Sequence, residues 1–247
     1  MEQFKRFLFL VLIFCAADIM LSVAFVAADD VVKTGQGVYL RYCVGCHGEK
    51  GDGKGKAAPL LVVKPRDFTT GIFKFKSTPQ GTLPTDEDLI RTITKGLPGN
   101  SMPSFVLVPE RERRAVIEYI KTFSEKWKKE KPGQPATIPF VPEYVNSPES
   151  IAKGRSAYEA NGCVGCHGDK GDGKGPAAAI LKDMWGNPDK PRNFTRGIYA
   201  GGGAPSDLFR TMTTGIEGAP MPSFAQIPEN DRWHLISYLF SLKGGKK

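Results

Sequence analysis

The sequence predicts an all-α protein of two tandem helical domains, and three observations lead there. First, the chain repeats itself. A Cys-x-x-Cys-His pentapeptide, a Lys-Pro-Arg-x-Phe-Thr hexapeptide and a Met-Pro-Ser-Phe tetrapeptide each occur twice, 120, 126 and 119 residues apart. Second, apolar residues at helical spacing follow cap signals at corresponding places in both copies. Third, a stretch holding Pro132, Pro135, Pro139 and Pro142 separates the copies. The expected organisation is a leader (1–28), a first domain (29–128), a proline-rich linker (129–147) and a second domain (148–247).

In the leader, Lys5 and Arg6 precede the apolar run from Phe7 to Phe14, and small residues end in Val26-Ala27-Ala28. That order marks a secretory signal peptide, with cleavage expected after Ala28. Residues 7–28 are long enough to span a bilayer, but Asp18 falls in their middle, at a cost of about 2.5–3.5 kcal/mol. Membrane contact is expected only if the leader is retained.

In the first domain, Thr34 to Tyr42 reads as a short helix running into Cys43-Val44-Gly45-Cys46-His47. Residues at i, i+3 and i+4 share one face of a helical turn, so two thiols and an imidazole can meet one flat ligand. Cys-x-x-Cys-His is the attachment signature of a c-type haem, the thiols adding to its vinyl groups and the histidine binding iron. Zinc binding and a thioredoxin-like dithiol are the competing readings. Zinc ribbons space their pairs by about 15–20 residues, whereas 116 residues lie between Cys46 and Cys163. A redox dithiol needs no histidine directly after its second cysteine.

Gly48 to Gly55, with four glycines in eight residues, predicts an irregular loop wrapped closely around a cofactor. Arg66 is a candidate for bidentate pairing with a haem propionate, against a plain solvated arginine. Phe68, Ile72, Phe73 and Phe75 offer apolar cover. Thr85-Asp86-Glu87-Asp88 starts a helix that Gly96 stops, after Lys95. Met102 lies in a loop between Gly99 and Pro103; its thioether is a soft neutral axial ligand that raises a haem's reduction potential. Pro109 to Trp127 reads as one amphipathic closing helix. The linker from Lys128 to Asn146 is expected to be extended and unpacked.

The second domain repeats the plan. Ser147-Pro148-Glu149 starts a helix as N-cap, N1 proline and early acid. Cys163, Cys166 and His167 then take the place of Cys43, Cys46 and His47. Arg192 echoes Arg66, Met221 echoes Met102, and Pro228 to Leu242 closes the unit. The sequence has three histidines. His47 and His167 are the candidate iron ligands and His234 is read as a packing or surface residue. Met184 and Met212 are read as core filler. Four of the five cysteines lie in the two motifs and Cys15 in the leader, which leaves no pair for a structural disulfide.

These motifs together resemble a tandem dihaem member of the class I cytochrome c family, over about 200 residues. The resemblance implies two covalent haem c groups held by Cys43, Cys46, Cys163 and Cys166. It implies His47 with Met102 and His167 with Met221 as axial pairs. It also implies that the first and last helices of each domain pack together, with Gly35 and Tyr39 against Val116 and Tyr119, and Gly154 and Tyr158 against Leu235 and Tyr238. The family steadies its proximal imidazole with a proline carbonyl, and Pro59 fits that place; the second domain has Ala179 there.

The implied activity is single-electron transfer in the periplasm through two low-spin haems, without substrate chemistry. Two alternatives stay open: a dihaem peroxidase-type enzyme with one exchangeable axial position, and an electron-transfer subunit of a larger oxidoreductase. The formal charge is +8, and residues 29–128 carry 17 basic against 12 acidic groups. A basic excess of this size favours redox partners with acidic docking faces. It is too dispersed, and lacks the aromatic motifs, for a nucleic-acid partner.

Overall fold

The computed structural model describes residues 29–244; the expected leader lies outside them. All regular structure among these residues is helical, apart from two isolated bridges, Leu83 with Pro132 and Lys182 with Pro188.

In the first repeat, α1 (residues 29–42) leads into α2 (Val44–His47), which carries the first motif. There follow α3 (Asp86–Lys95), α4 (Glu110–Lys121) and α5 (Lys126–Lys129). The second repeat contributes α6 (Pro148–Ala160), α7 (Cys163–His167), α8 (Pro205–Thr214) and α9 (Glu229–Ser241). The start signals act as expected. The Thr85 hydroxyl accepts from the Asp88 amide and the Asp88 carboxylate accepts from the Thr85 amide, closing a capping box on α3. Ser147 caps α6 through the Ser150 amide, with Pro148 in the first turn.

The first and last helices of each repeat cross at a glycine. A Cβ on Gly35 would overlap the Ala115 carbonyl, and one on Gly154 the His234 carbonyl, so only glycine lets these backbones meet. The tyrosine one turn on fills the crossing. The Tyr39 ring lies 5.3 Å from Tyr119 and Tyr158 lies 5.2 Å from Tyr238. Two apolar clusters result: Tyr39, Val116, Ile117 and Ile120 anchor one, and Tyr158, Phe209, Trp233, Leu235 and Ile236 the other.

Three expectations need correction. The closing helix of the first repeat breaks after Lys121: the Thr122 hydroxyl donates to the Tyr119 carbonyl at 2.7 Å, and the chain turns to bring Trp127 edge-on to Phe73. The linker is extended but it is not free. Its Gly133 and Ala136 amides donate to the Leu83 and Ser77 carbonyls, and Tyr144 and Asn146 reach Asn230 and Ser237. Backbone groups that find protein partners lose the freedom of a solvated linker. Met184 is 59% exposed rather than core, whereas Met212 is buried as expected.

The repeats also touch directly. Lys76, only 2% exposed, pairs with Glu217 and donates to the Pro79 carbonyl. Lys74 pairs with Asp189 at 2.9 Å, and the Thr214 hydroxyl donates to the Lys76 carbonyl.

Candidate haem sites

Each motif helix ends in a glycine that has left helical geometry: Gly48 and Gly168 have φ near +79°. The glycine loop then folds back over the helix end. The amides of Gly53, Gly55 and Ala57 donate to the carbonyls of His47, Cys46 and Gly45 at 2.9–3.1 Å. Gly173, Gly175 and Ala177 repeat these bonds on His167, Cys166 and Gly165. The glycine run therefore wraps the carbonyls of the motif itself, satisfying a helix end that would otherwise be orphaned. The Tyr39 hydroxyl donates to the Gly48 carbonyl, and Tyr158 to Gly168, which fastens the motif to the first helix.

The hexapeptide holds the histidine. His47 Nδ1 lies 2.9 Å from the Arg66 carbonyl, and His167 Nδ1 lies 3.0 Å from the Arg192 carbonyl. A carbonyl only accepts, so the proton sits on Nδ1 and each Nε2 keeps a bare lone pair. Burial pushes both imidazoles below the ordinary histidine range, which keeps them neutral. Two residues further on, Phe68 stacks on His47 at 4.4 Å and Phe194 on His167 at 4.3 Å. Thus Pro59 is not the partner of the imidazole; its carbonyl faces Lys64 Nζ at 3.3 Å. Sequence reasoning saw the arginine side chains and missed their carbonyls. The signal was the near-identity of the two hexapeptides, lying 19 and 25 residues from their histidines between backbone carbonyl and ring.

Neither arginine side chain is freely solvated. The Arg66 guanidinium lies over the Trp185 ring, 4.0 Å from its centroid, and burial lowers its pKa to about 10. Arg192 donates to Asn100 Oδ1 at 3.0 Å. Stacking engages the face of a guanidinium and leaves its in-plane N–H edge suited to a carboxylate.

The methionine loops are likewise duplicated. The Leu97 amide donates to the Met102 carbonyl and the Ile216 amide to the Met221 carbonyl, both at 3.0 Å. Ser104 and Ser223 tie the loops to α3 and α8 through the carbonyls of Thr94 and Thr213. Both methionines are half-buried, and Met221 packs against the second apolar cluster. Cys43, Cys46, Cys163 and Cys166 form no disulfide with one another and are half-buried. Among the described residues no three His, Cys, Asp or Glu side chains gather as a metal-ion site. The donor set fits haem c instead: two thiols and an imidazole with bare Nε2 on one turn, and a thioether loop in each repeat.

Comparison with known proteins agrees. The family described as cytochrome c oxidase, cbb3-type, subunit III, matches residues 30–120, and the family described as cytochrome c matches residues 151–243. The chain belongs to the cytochrome c family, with two such domains in tandem and two covalently bound haem c groups. It is similar to the cbb3-type cytochrome c oxidase subunit CcoP of Helicobacter pylori, 27% identical over 175 residues, which are 70% of this chain and 48% of that one. The CcoP of H. pylori strain 52 is 26% identical over the same length. The chain spans about half the length of these curated relatives. It is also similar to a chain of the Kuenenia stuttgartiensis reducing HAO-like protein complex Kustc0457/Kustc0458, 40% identical with a TM-score of 0.82, over 85% of this chain and 96% of that chain.

Proposed function

We propose that the protein is a periplasmic electron carrier with two His/Met-ligated low-spin haems and no substrate chemistry of its own. Cys43, Cys46, Cys163 and Cys166 hold the haems through thioethers. His47 and His167 would supply Nε2, Met102 and Met221 would supply sulfur, and Arg66 and Arg192 would serve the propionates. When bound, each haem supplies a one-electron ferric/ferrous couple. The arginine carbonyls hold the Nδ1 protons and so fix each imidazole's tautomer and angle. The phenylalanine platforms stop the rings from turning. The observation that carries this reading is the duplicated bond from histidine Nδ1 to an arginine carbonyl, which commits one ring nitrogen and frees the other. A methionine loop in both repeats disfavours a peroxidase-type enzyme, which needs one exchangeable position. No helix among the described residues is long and apolar enough to cross a membrane.

The test is a redox titration with spectra of both oxidation states, on the native protein and on Met102→Ala. Two low-spin centres are expected, one of which turns high-spin and drops in potential in the variant. Unchanged spectra in Met102→Ala would remove its sulfur from the iron. A second reading, a subunit that wires a larger oxidoreductase, is favoured by the 96% coverage of a chain from a multi-protein complex. Co-purification of other chains from the native source separates a subunit from a free carrier.

A further inference from the structure

Between haem motif and hexapeptide the second repeat is six residues longer than the first, His167 to Lys190 against His47 to Lys64, and this longer stretch, which includes residues 182–189, reaches the first repeat. Lys182 bridges to Pro188, and Asp183 accepts from the Trp185 and Asn187 amides, so the segment is a built turn. Its Asp189 pairs with Lys74 of the first repeat. Its Trp185 lies flat beneath Arg66 on one side. On another side the same ring meets Gly218, where a Cβ would come within 2.8 Å of it, and the Met184 amide donates to the Gly218 carbonyl at 2.9 Å. Gly218 belongs to the Met221 loop. One indole therefore joins the residue that holds His47 to the loop that presents Met221. The opposite crossing exists too: Arg192, which holds His167, bonds Asn100 in the Met102 loop.

We propose that Trp185 is a positioning residue that couples the two haem sites. It fixes Arg66 in a poorly hydrated place against the second repeat's methionine loop, favouring electron exchange between the sites within one chain. The proposal rests on the His/Met reading given above. In the exchange one site gives up one electron and the other accepts it, with no proton or ligand passing between them. A desolvated positive charge favours the reduced form of the site it adjoins, because low local polarity strengthens its field. Water admitted beside Arg66 screens that charge.

The experiment compares native protein, Trp185→Ala and Trp185→Phe by redox titration, and by flash reduction with less than one electron per molecule followed to redistribution between the sites. The native spectrum, recorded first, decides the ligation independently. With two low-spin centres kept in every variant, Trp185→Ala is expected to lower the first site's potential and slow redistribution severalfold. Trp185→Phe, which keeps a ring face for the guanidinium, is expected to restore most of both. Potentials and redistribution equal to native in Trp185→Ala would overturn the proposal. If Trp185→Ala does not accumulate, Asn100→Ala breaks the opposite crossing at a half-buried side chain. A shift there of the second site's potential with slower redistribution supports the coupling, and native values overturn it.

Discussion

His47 and His167 show how a backbone group can fix the tautomer of an imidazole. Each ring gives its Nδ1 proton to an arginine carbonyl and lies on a phenylalanine face. Removing the platform, as in Phe68→Ala, is expected to cost about 3–5 kcal/mol of stability, the range for truncating a buried aromatic. Denaturant unfolding checks this, and an undiminished midpoint would mean the ring is held by other contacts. Tyr39 works at the same scale. Burial raises its pKa well above the ordinary tyrosine value, so above pH 10 the unfolded chain loses a proton that the folded chain keeps. Stability owed to this phenol is therefore full below pH 10 and declines as pH rises beyond it. Tyr39→Phe, which loses the bond to the Gly48 carbonyl, is expected to be less stable by about 1 kcal/mol at pH 8. Its deficit narrows at pH 11, as unfolding midpoints at the two pH values will show.

Between elements, the decisive contacts are the two glycine crossings. Gly35→Ala and Gly154→Ala each push a methyl into a carbonyl of the facing helix. Overpacking of this kind costs about 1–3 kcal/mol, expected as a lowered melting temperature in each variant. Gly37 lies on α1 with open space around it. Gly37→Ala is therefore expected to be neutral, or to gain about 0.4–1 kcal/mol from a stiffer unfolded chain. If all three variants melt alike, the crossings are not as close as described. The crossings also explain why the first and last helices of each repeat can be far apart in sequence and still bracket one motif. The tyrosine beside each glycine reaches from the crossing to the carbonyl at the motif's end.

For the whole molecule, the repeats behave as a docked pair rather than beads on a string. Lys76 is buried at their junction with Glu217. Lys76→Met leaves that carboxylate buried beside an apolar chain, and breaking such a pair costs about 3–5 kcal/mol. The expected result is loss of a single cooperative unfolding transition, read by calorimetry; Lys76→Met with Glu217→Leu recovers much of it. The charge excess acts at the same scale. Lys50, Lys54 and Lys56 stand exposed on the glycine loop beside the first motif. Replacing them with glutamates is expected to slow electron exchange with an anionic one-electron reagent at low salt. The difference should shrink as ionic strength rises and the Debye length falls below about 10 Å. A rate insensitive to both would place the docking face elsewhere.

The sequence alone determined the helical class, the duplication, the caps at Thr85 and Ser147, and the paired motifs that carry the candidate haem ligands. These are local or repeated signals: a cap needs four residues, a haem motif five, and a second copy makes either conspicuous. Tertiary structure decided which carbonyl takes the histidine proton, replacing Pro59 with Arg66. It also decided that the linker docks, and that Trp185 sits between the two sites. Each of these depends on where backbone groups and a looped-out segment come to rest, and residue identity carries little of that. Any residue has a carbonyl, and only the folded chain aims one at an imidazole.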